Sequence, residues 1–306
     1  MFLCLSQEER QRKRNLEMLN LILSFLIFLL IPVLMLGLLQ VSKWRRKRSA
    51  NRPPFEDLLL RSPGERLRRE IADISDDVAS YILSASTFPL LLFGFYMIGM
   101  VKLSSPFLWS SGVVFTAFLM WKIVTLANRR RDLRIGFAGE MAAGEELNRL
   151  MLDGYHVYHD FPAERFNIDH ILVGPSGVYA VETKARSKGS GGNRKDEAKV
   201  IYDGQRLKFP SWVTTEPIEQ AKAQAAWLSK WLSSAVGDPV KVSPMVTIPG
   251  WFIERKSPNG IPVLNPKQVK AYLDAKKEEL LSDTMIKRIC HQLEQKCRDV
   301  DLLDWY

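Results

Sequence analysis

Cysteine is scarce in this chain of 306 residues: Cys4, Cys290 and Cys297 are the only three, too few for a disulfide framework. Cys290 and Cys297 lie two helical turns apart beside His291. One His and two Cys make a poor zinc set, so core packing is the expectation for them. There is no Gly-rich phosphate loop of the P-loop type, no Ser–His nucleophile motif and no zinc ribbon. Charge is missing from long stretches as well. Residues 19–41 carry none, residues 79–101 carry none, and residues 106–127 carry only Lys122, near their end.

Those uncharged runs are the first positive finding. At about 1.5 Å per residue each is long enough to span a hydrocarbon core of about 30 Å. Run 19–41 is too long for a signal-peptide core and no small-residue cleavage pattern follows it, so it reads as a retained anchor. Only "KLSS" separates the second and third runs, which predicts a tight helical hairpin. Residues 1–127 are therefore expected to be a membrane region with spans at 19–41, 79–101 and 106–127, and a basic connecting segment at 42–77. Buried core helices are the alternative. The net charge of +9 fits either an anionic polymer or a membrane, because Lys and Arg also gather beside spans. Lys43, Arg45, Arg46, Lys47 and Arg48 follow the first run and "NRRRDLR" follows the third. By the positive-inside rule both flanks face the cytoplasm, although "RQRKR" at 10–14 pulls the other way. The expectation is a multi-pass protein of a cell membrane, as in a bacterial inner membrane, with the C-terminal domain in the cytoplasm and lipid as one partner.

From residue 128 the pattern becomes that of a globular α/β domain, 128–306, with helices flanking a small mixed sheet. In "GFAGEMAAGEELNRLM" the residues Glu140, Ala143, Gly144, Leu147, Leu150 and Met151 share one helical face. Glu140 is thus an acid on the side that should meet the core, where such a group needs a partner or a task. "YHVYHDF" alternates like a strand. "NIDHILVGPSGVYAVETK" is a hairpin turning at Gly174–Gly177, which sets Val173 against Val178, Ile171 against Ala180 and Asp169 against Glu182. Alternation adds Lys184 to that face. Opposed side chains lie about 5 Å apart at Cβ, and two carboxylates so close repel unless a proton or a cation lies between them. The hairpin alone allows a divalent, oxygen-seeking ion such as Mg²⁺ or an ion pair of Lys184 with either acid. Glu140, as a third acid, turns the reading toward a metal.

Taken together and in order, "GFAGE", "NIDHILVGPSGVYAVETK" and "EPIEQAKAQAAWL" resemble the nuclease-related domain family, NERD, over roughly residues 134–265. That family is similar to the PD-(D/E)XK nucleases, and the resemblance implies a restriction-endonuclease-like α/β fold. It further implies a Mg²⁺- or Mn²⁺-dependent nuclease acting on DNA or RNA, in which Asp169 and Glu182 hold the metal, Glu140 is the helix acid and Lys184 the catalytic lysine. Gln220 takes the place of a glutamine on the following helix. The superfamily's proline is absent, since Ile168 precedes Asp169, and His170, on the opposite face of its strand, is expected to be structural. The Gly-rich basic loop 185–199 supplies Lys188, Arg194 and Lys195 as candidate contacts to nucleic acid. A binding or membrane-assembly module that keeps the fold without turnover is the rival reading.

Overall fold

The computed structural model describes residues 58–97, 106–188, 198–276 and 281–300, with scattered positions between 11 and 41. All but a few positions of the expected first span at 19–41, the segment 42–57, the "KLSS" connection, and Arg194 and Lys195 of the basic loop lie outside the described residues. By internal contacts the chain divides into two units. One comprises Met1–Pro54 with Asp73–Arg129, the other Phe55–Ala72 with Arg130–Tyr306. The segment 42–77, expected as a connector in the membrane region, is therefore split, and its residues 55–72 belong with the sheet.

In the first unit two helices dominate, α1 (Glu65–Met97) and α2 (Pro106–Asn148), which run on into the second unit. The stretches Glu65–Tyr96 and Ser110–Asp153 are long and apolar enough to cross a membrane. Phe88 meets Phe115 with ring centroids 4.5 Å apart, and Gly112 lies against Leu92. As one residue number rises the other falls, so the two helices pack antiparallel, as the short connection predicts. Their hydroxyls are satisfied within the helices: Ser80, Ser84, Ser86, Thr87, Thr116 and Thr125 each donate to a carbonyl one turn back.

The second unit is a mixed α/β assembly. Its central sheet contains β2 (His156–Pro162), β3 (Asn167–Gly174), β4 (Gly177–Thr183), β8 (Val242–Thr247) and β10 (Val263–Leu264), in the order β10-β8-β4-β3-β2. β2, β3 and β4 are antiparallel, whereas β8 runs parallel to both β4 and β10. Every residue of β4 and all but the first of β3 are buried. A strand covered on both faces has no polar side to show, hence the near-continuous apolar run. On one face lie α3 (Glu216–Val236) and α5 (Asp283–Cys297), through Leu228, Leu232, Ile289 and Leu293. Trp227 and Trp231 stack on each other and pack against this core beside Phe161. Cys290 and Cys297 are buried in the same cluster, as core packing requires. On the other face lie Leu147 and Leu150 with α4 (Val269–Asp274).

One small sheet is expected from the sequence, but the chain forms more. "VSPMVTIPGWFI" is not a single strand: it divides into β8 and β9 (Phe252–Arg255), which join different sheets. β9 pairs with β5 (Lys199–Tyr202), and β6 (Leu207–Lys208) and β7 (Val213–Thr214) complete a four-stranded layer ordered β7-β6-β5-β9. A third, two-stranded ladder joins β1 (Leu59–Leu60) to β11 (Arg298–Val300). The expected helical face also needs one change. Glu140, Ala143, Gly144, Leu147 and Leu150 are buried, but Met151 is 51% exposed. The helix tightens to a 3-10 turn at Arg149–Asp153, which breaks the 3.6-residue spacing on which the expectation rests.

Candidate functional site: a carboxylate-lined cleft

The turn at Pro175–Ser176 sets the hairpin register as expected: Val173 pairs with Val178, Ile171 with Ala180 and His170 with Val181. One step further, Asp169 Oδ2 accepts a hydrogen bond of 2.7 Å from the Thr183 backbone N–H. Glu182 sits on the facing strand and accepts 2.8 Å from Gln224 Nε2 of α3. Helix α2 delivers Glu140. Its close approach depends on Gly139, where a side chain would collide with Ala185, the residue after Lys184. Thus the "GFAGE" spacing has a packing reason: the glycine before the acid lets the helix touch the end of the hairpin.

These elements line an open cleft of about 460 Å³ that contains Glu140, Asp169, Glu182, Lys184 and Gln220, together with Arg66 and Arg186. The five residues expected from the sequence are therefore brought to one place. Lys188 is exposed and is not among the lining residues.

The electrostatics are those of crowded buried acids. Burial, reinforced by Asp169, pushes Glu140 up to about 9. Burial pushes Asp169 up to about 7, against the pull of its hydrogen bond from Thr183. Burial and the Asp169 charge hold Glu182 well above the carboxylate range. Among the described residues none of the three forms an ion pair. Lys184 pairs instead with Glu216, at 3.6 Å, so the ion pair of Lys184 with Asp169 or Glu182 that the sequence allows is not formed.

His170, as expected, has a structural place. Its Nδ1 lies 2.8 Å from His159 Nδ1, and His159 Nε2 lies 2.9 Å from Asn148 Oδ1. Burial pushes His159 down to about 4 and His170 well below its ordinary value, so both rings are neutral.

Two residues of the site escape the sequence reading. Gln224, one turn beyond Gln220, is the glutamine that touches Glu182; it also donates to the Asn167 carbonyl, at 3.3 Å. A signal for it exists, since Gln224 interrupts the buried stripe Ile218, Ala221, Ala225, Leu228. Arg66 has no such signal, because two whole apolar runs separate it from the rest of the cleft.

The donor set suits a hard divalent cation, since all three acids offer oxygen and lack a protein cation in contact. Among the described residues no three His, Cys, Asp or Glu side chains close on one point as a complete metal site would. An ion here would draw on part of the set and fill its shell with water and substrate oxygens, as Mg²⁺ commonly does.

Comparison with curated proteins found no significant match, and comparison with solved structures found none. A family model does match, and it covers the residues that line the cleft apart from Arg66 and Asp132: residues 135–249 match the nuclease-related domain, NERD.

Proposed function

We propose that the protein is a membrane-anchored, divalent-metal-dependent nuclease that hydrolyses phosphodiester bonds of DNA or RNA. The observation that carries this reading is the convergence of Glu140, Asp169, Glu182 and Lys184 on one cleft within the segment that matches the nuclease-related domain. Asp169 and Glu182 would hold Mg²⁺ or Mn²⁺, with Glu140 as the third acid. When bound, the ion offsets charge on the phosphoryl oxygens and makes water a better nucleophile. Lys184, at the rim of the acids, orients the attacking water or offsets negative charge as it develops on the phosphate. Gln224 fixes the Glu182 carboxylate by its 2.8 Å hydrogen bond, and Gln220 stands in the cleft wall where substrate would pass. The anchoring rests on the two apolar helices, and the placement of the domain in the cytoplasm on their basic flanks.

One observation favours a second reading, a nucleic-acid-binding or membrane-assembly module without turnover: the absence, among the described residues, of a closed three-ligand metal cluster. Incubation of the full chain, purified in detergent, with labelled DNA and RNA separates the two. Cleavage that needs Mg²⁺ or Mn²⁺ and disappears in Asp169→Asn supports the enzyme. Binding without cleavage under any divalent ion overturns it and leaves the module.

A further inference from the structure

The family match begins at residue 135, yet one wall of the cleft comes from Arg66. The segment that carries it is tied to the second unit at several points. Leu59 and Leu60 pair with β11. Arg61 grips the Asp299 carboxylate with two hydrogen bonds, of 2.7 and 2.6 Å, and donates to the Asp160 carbonyl at 2.9 Å and to Asp160 Oδ2 at 3.3 Å. Asp160 is buried and held at a φ of 47°, a left-handed conformation uncommon outside glycine. Its Oδ1 accepts 2.7 Å from Asn167, and its Oδ2 accepts 2.7 Å from the Arg66 backbone N–H. Asp160 thereby caps the first turn of α1 from outside the helix. Gly64, at φ 69°, is packed close: a Cβ there would come within 2.7 Å of Phe137 and 3.6 Å of Glu140 Oε2.

So the Arg66 backbone is clamped while its side chain is left free to act. The side chain is 52% exposed, and its ion pair is with Glu70, one turn on, at 3.7 Å, a weak surface contact. It forms no ion pair with the three site acids. An arginine that faced those acids only to neutralise them would lie against one of them. Lys184 and Arg186 also line the cleft; beside its carboxylates a further planar guanidinium with fixed donors eases the approach of a polyanion and matches two phosphate oxygens.

We propose that Arg66, supplied by the segment that precedes the matched domain, contacts the substrate by binding a backbone phosphate of nucleic acid in the cleft. The assignment rests on the nuclease reading above. It extends the site to a part of the chain that the domain match does not cover.

The test uses the full chain in detergent, because Phe55–Ala72 belong to the same unit as the sheet. Binding of fluorescent single-stranded and duplex DNA and RNA, with phosphorothioate linkages to block cleavage, is measured by anisotropy in Mg²⁺ over a range of salt. Arg66→Ala should bind at least about tenfold more weakly, the size of one charge-assisted contact. Its plot of log affinity against log salt should flatten by about one. Arg66→Lys should keep that slope while losing part of the affinity, since it keeps the charge and loses the fork. Melting temperatures without nucleic acid report any structural role separately. An Arg66→Ala protein with wild-type affinity and slope, or one altered only in melting, overturns the assignment and leaves the nuclease reading standing. A wild-type chain that binds none of the probes overturns both.

Discussion

The two units break the ordinary rule of burial in opposite directions. In the first, large apolar side chains face outward: Val113 is 70% exposed, Val114 68% and Trp121 60%. In the second, the charged groups are inside: Glu140, Asp169 and Glu182 are each less than a tenth exposed. An exposed apolar surface and a buried acid carry the same physical message, that a partner is needed, and the chemistry of the mismatch names the partner. Bare Val and Trp on a helix long and apolar enough to cross a membrane suit hydrocarbon. Clustered carboxylates with no ion pair call for protons or a cation. The helix α2 holds both, with Val113 to Val124 in one part and Glu140 to Leu147 in the other.

The sharpest way to break this comparison is at the acids. Asp169→Asn should abolish metal-dependent cleavage. In the metal-free protein it should be no less stable than the wild type, because a buried carboxyl that burial already pushes toward its neutral form gives way to a neutral amide whose oxygen can still accept from Thr183. Melting curves with and without Mg²⁺ check this. An Asp169→Asn protein that melts much lower, beside a wild type whose melting ignores the ion, would show that the acids are structural. Lys184→Ala should be milder, with turnover falling on the order of 10²–10³-fold, as when one electrostatic contact to a transition state is lost, and metal affinity largely kept. Steady-state rates and metal titrations measure the two separately.

The opposite mismatch is tested at Val113. Val113→Asp should hinder membrane insertion by roughly 2.5–3.5 kcal/mol if this face meets lipid, read from the fraction of protein that resists carbonate extraction. Unchanged membrane retention would detach this helix face from the bilayer. A smaller, graded effect concerns pH. The carboxyls of Asp169 and Glu140 have folded-state values raised to about 7 and about 9. Between their ordinary values and these, the folded state holds more protons than the unfolded one, so stability must fall as pH rises. Metal-free melting temperatures should therefore decline from about pH 4 through 7 and on toward 9. A saturating divalent ion should oppose the decline, because it favours the deprotonated acids. A metal-free profile that rises with pH across that window would contradict the burial of these groups. The smallest effect is expected from the basic loop. Neutralising Lys188, Arg194 and Lys195 together should weaken nucleic-acid binding and flatten its salt dependence with little change in the rate at saturation. An unchanged salt slope would remove the loop from the binding surface.

Much of this was legible in the chain itself, because the governing physics is local. A two-residue period around a tight turn sets the pairing of Val173 with Val178, and the same count carries Asp169 and Glu182 to one end of the hairpin. An acid at a core position of a helical stripe marks Glu140. Uninterrupted apolar runs mark α1 and α2 by composition alone. What periodicity could not show was which distant pieces share the site. Gln224 differs from Gln220 by one turn, and only the packing of α3 on β4 selects the one that meets Glu182. Arg66 reaches the cleft because its backbone N–H is held by Asp160, 94 positions away in sequence, and because Arg61 joins Asp160 to Asp299 across the fold. Hydrogen bonds between such remote groups leave no repeat or spacing in the sequence. They exist only once the sheet has brought its strand ends together, and so the tertiary structure alone decided that a stretch beside an apolar run would join the carboxylate cleft.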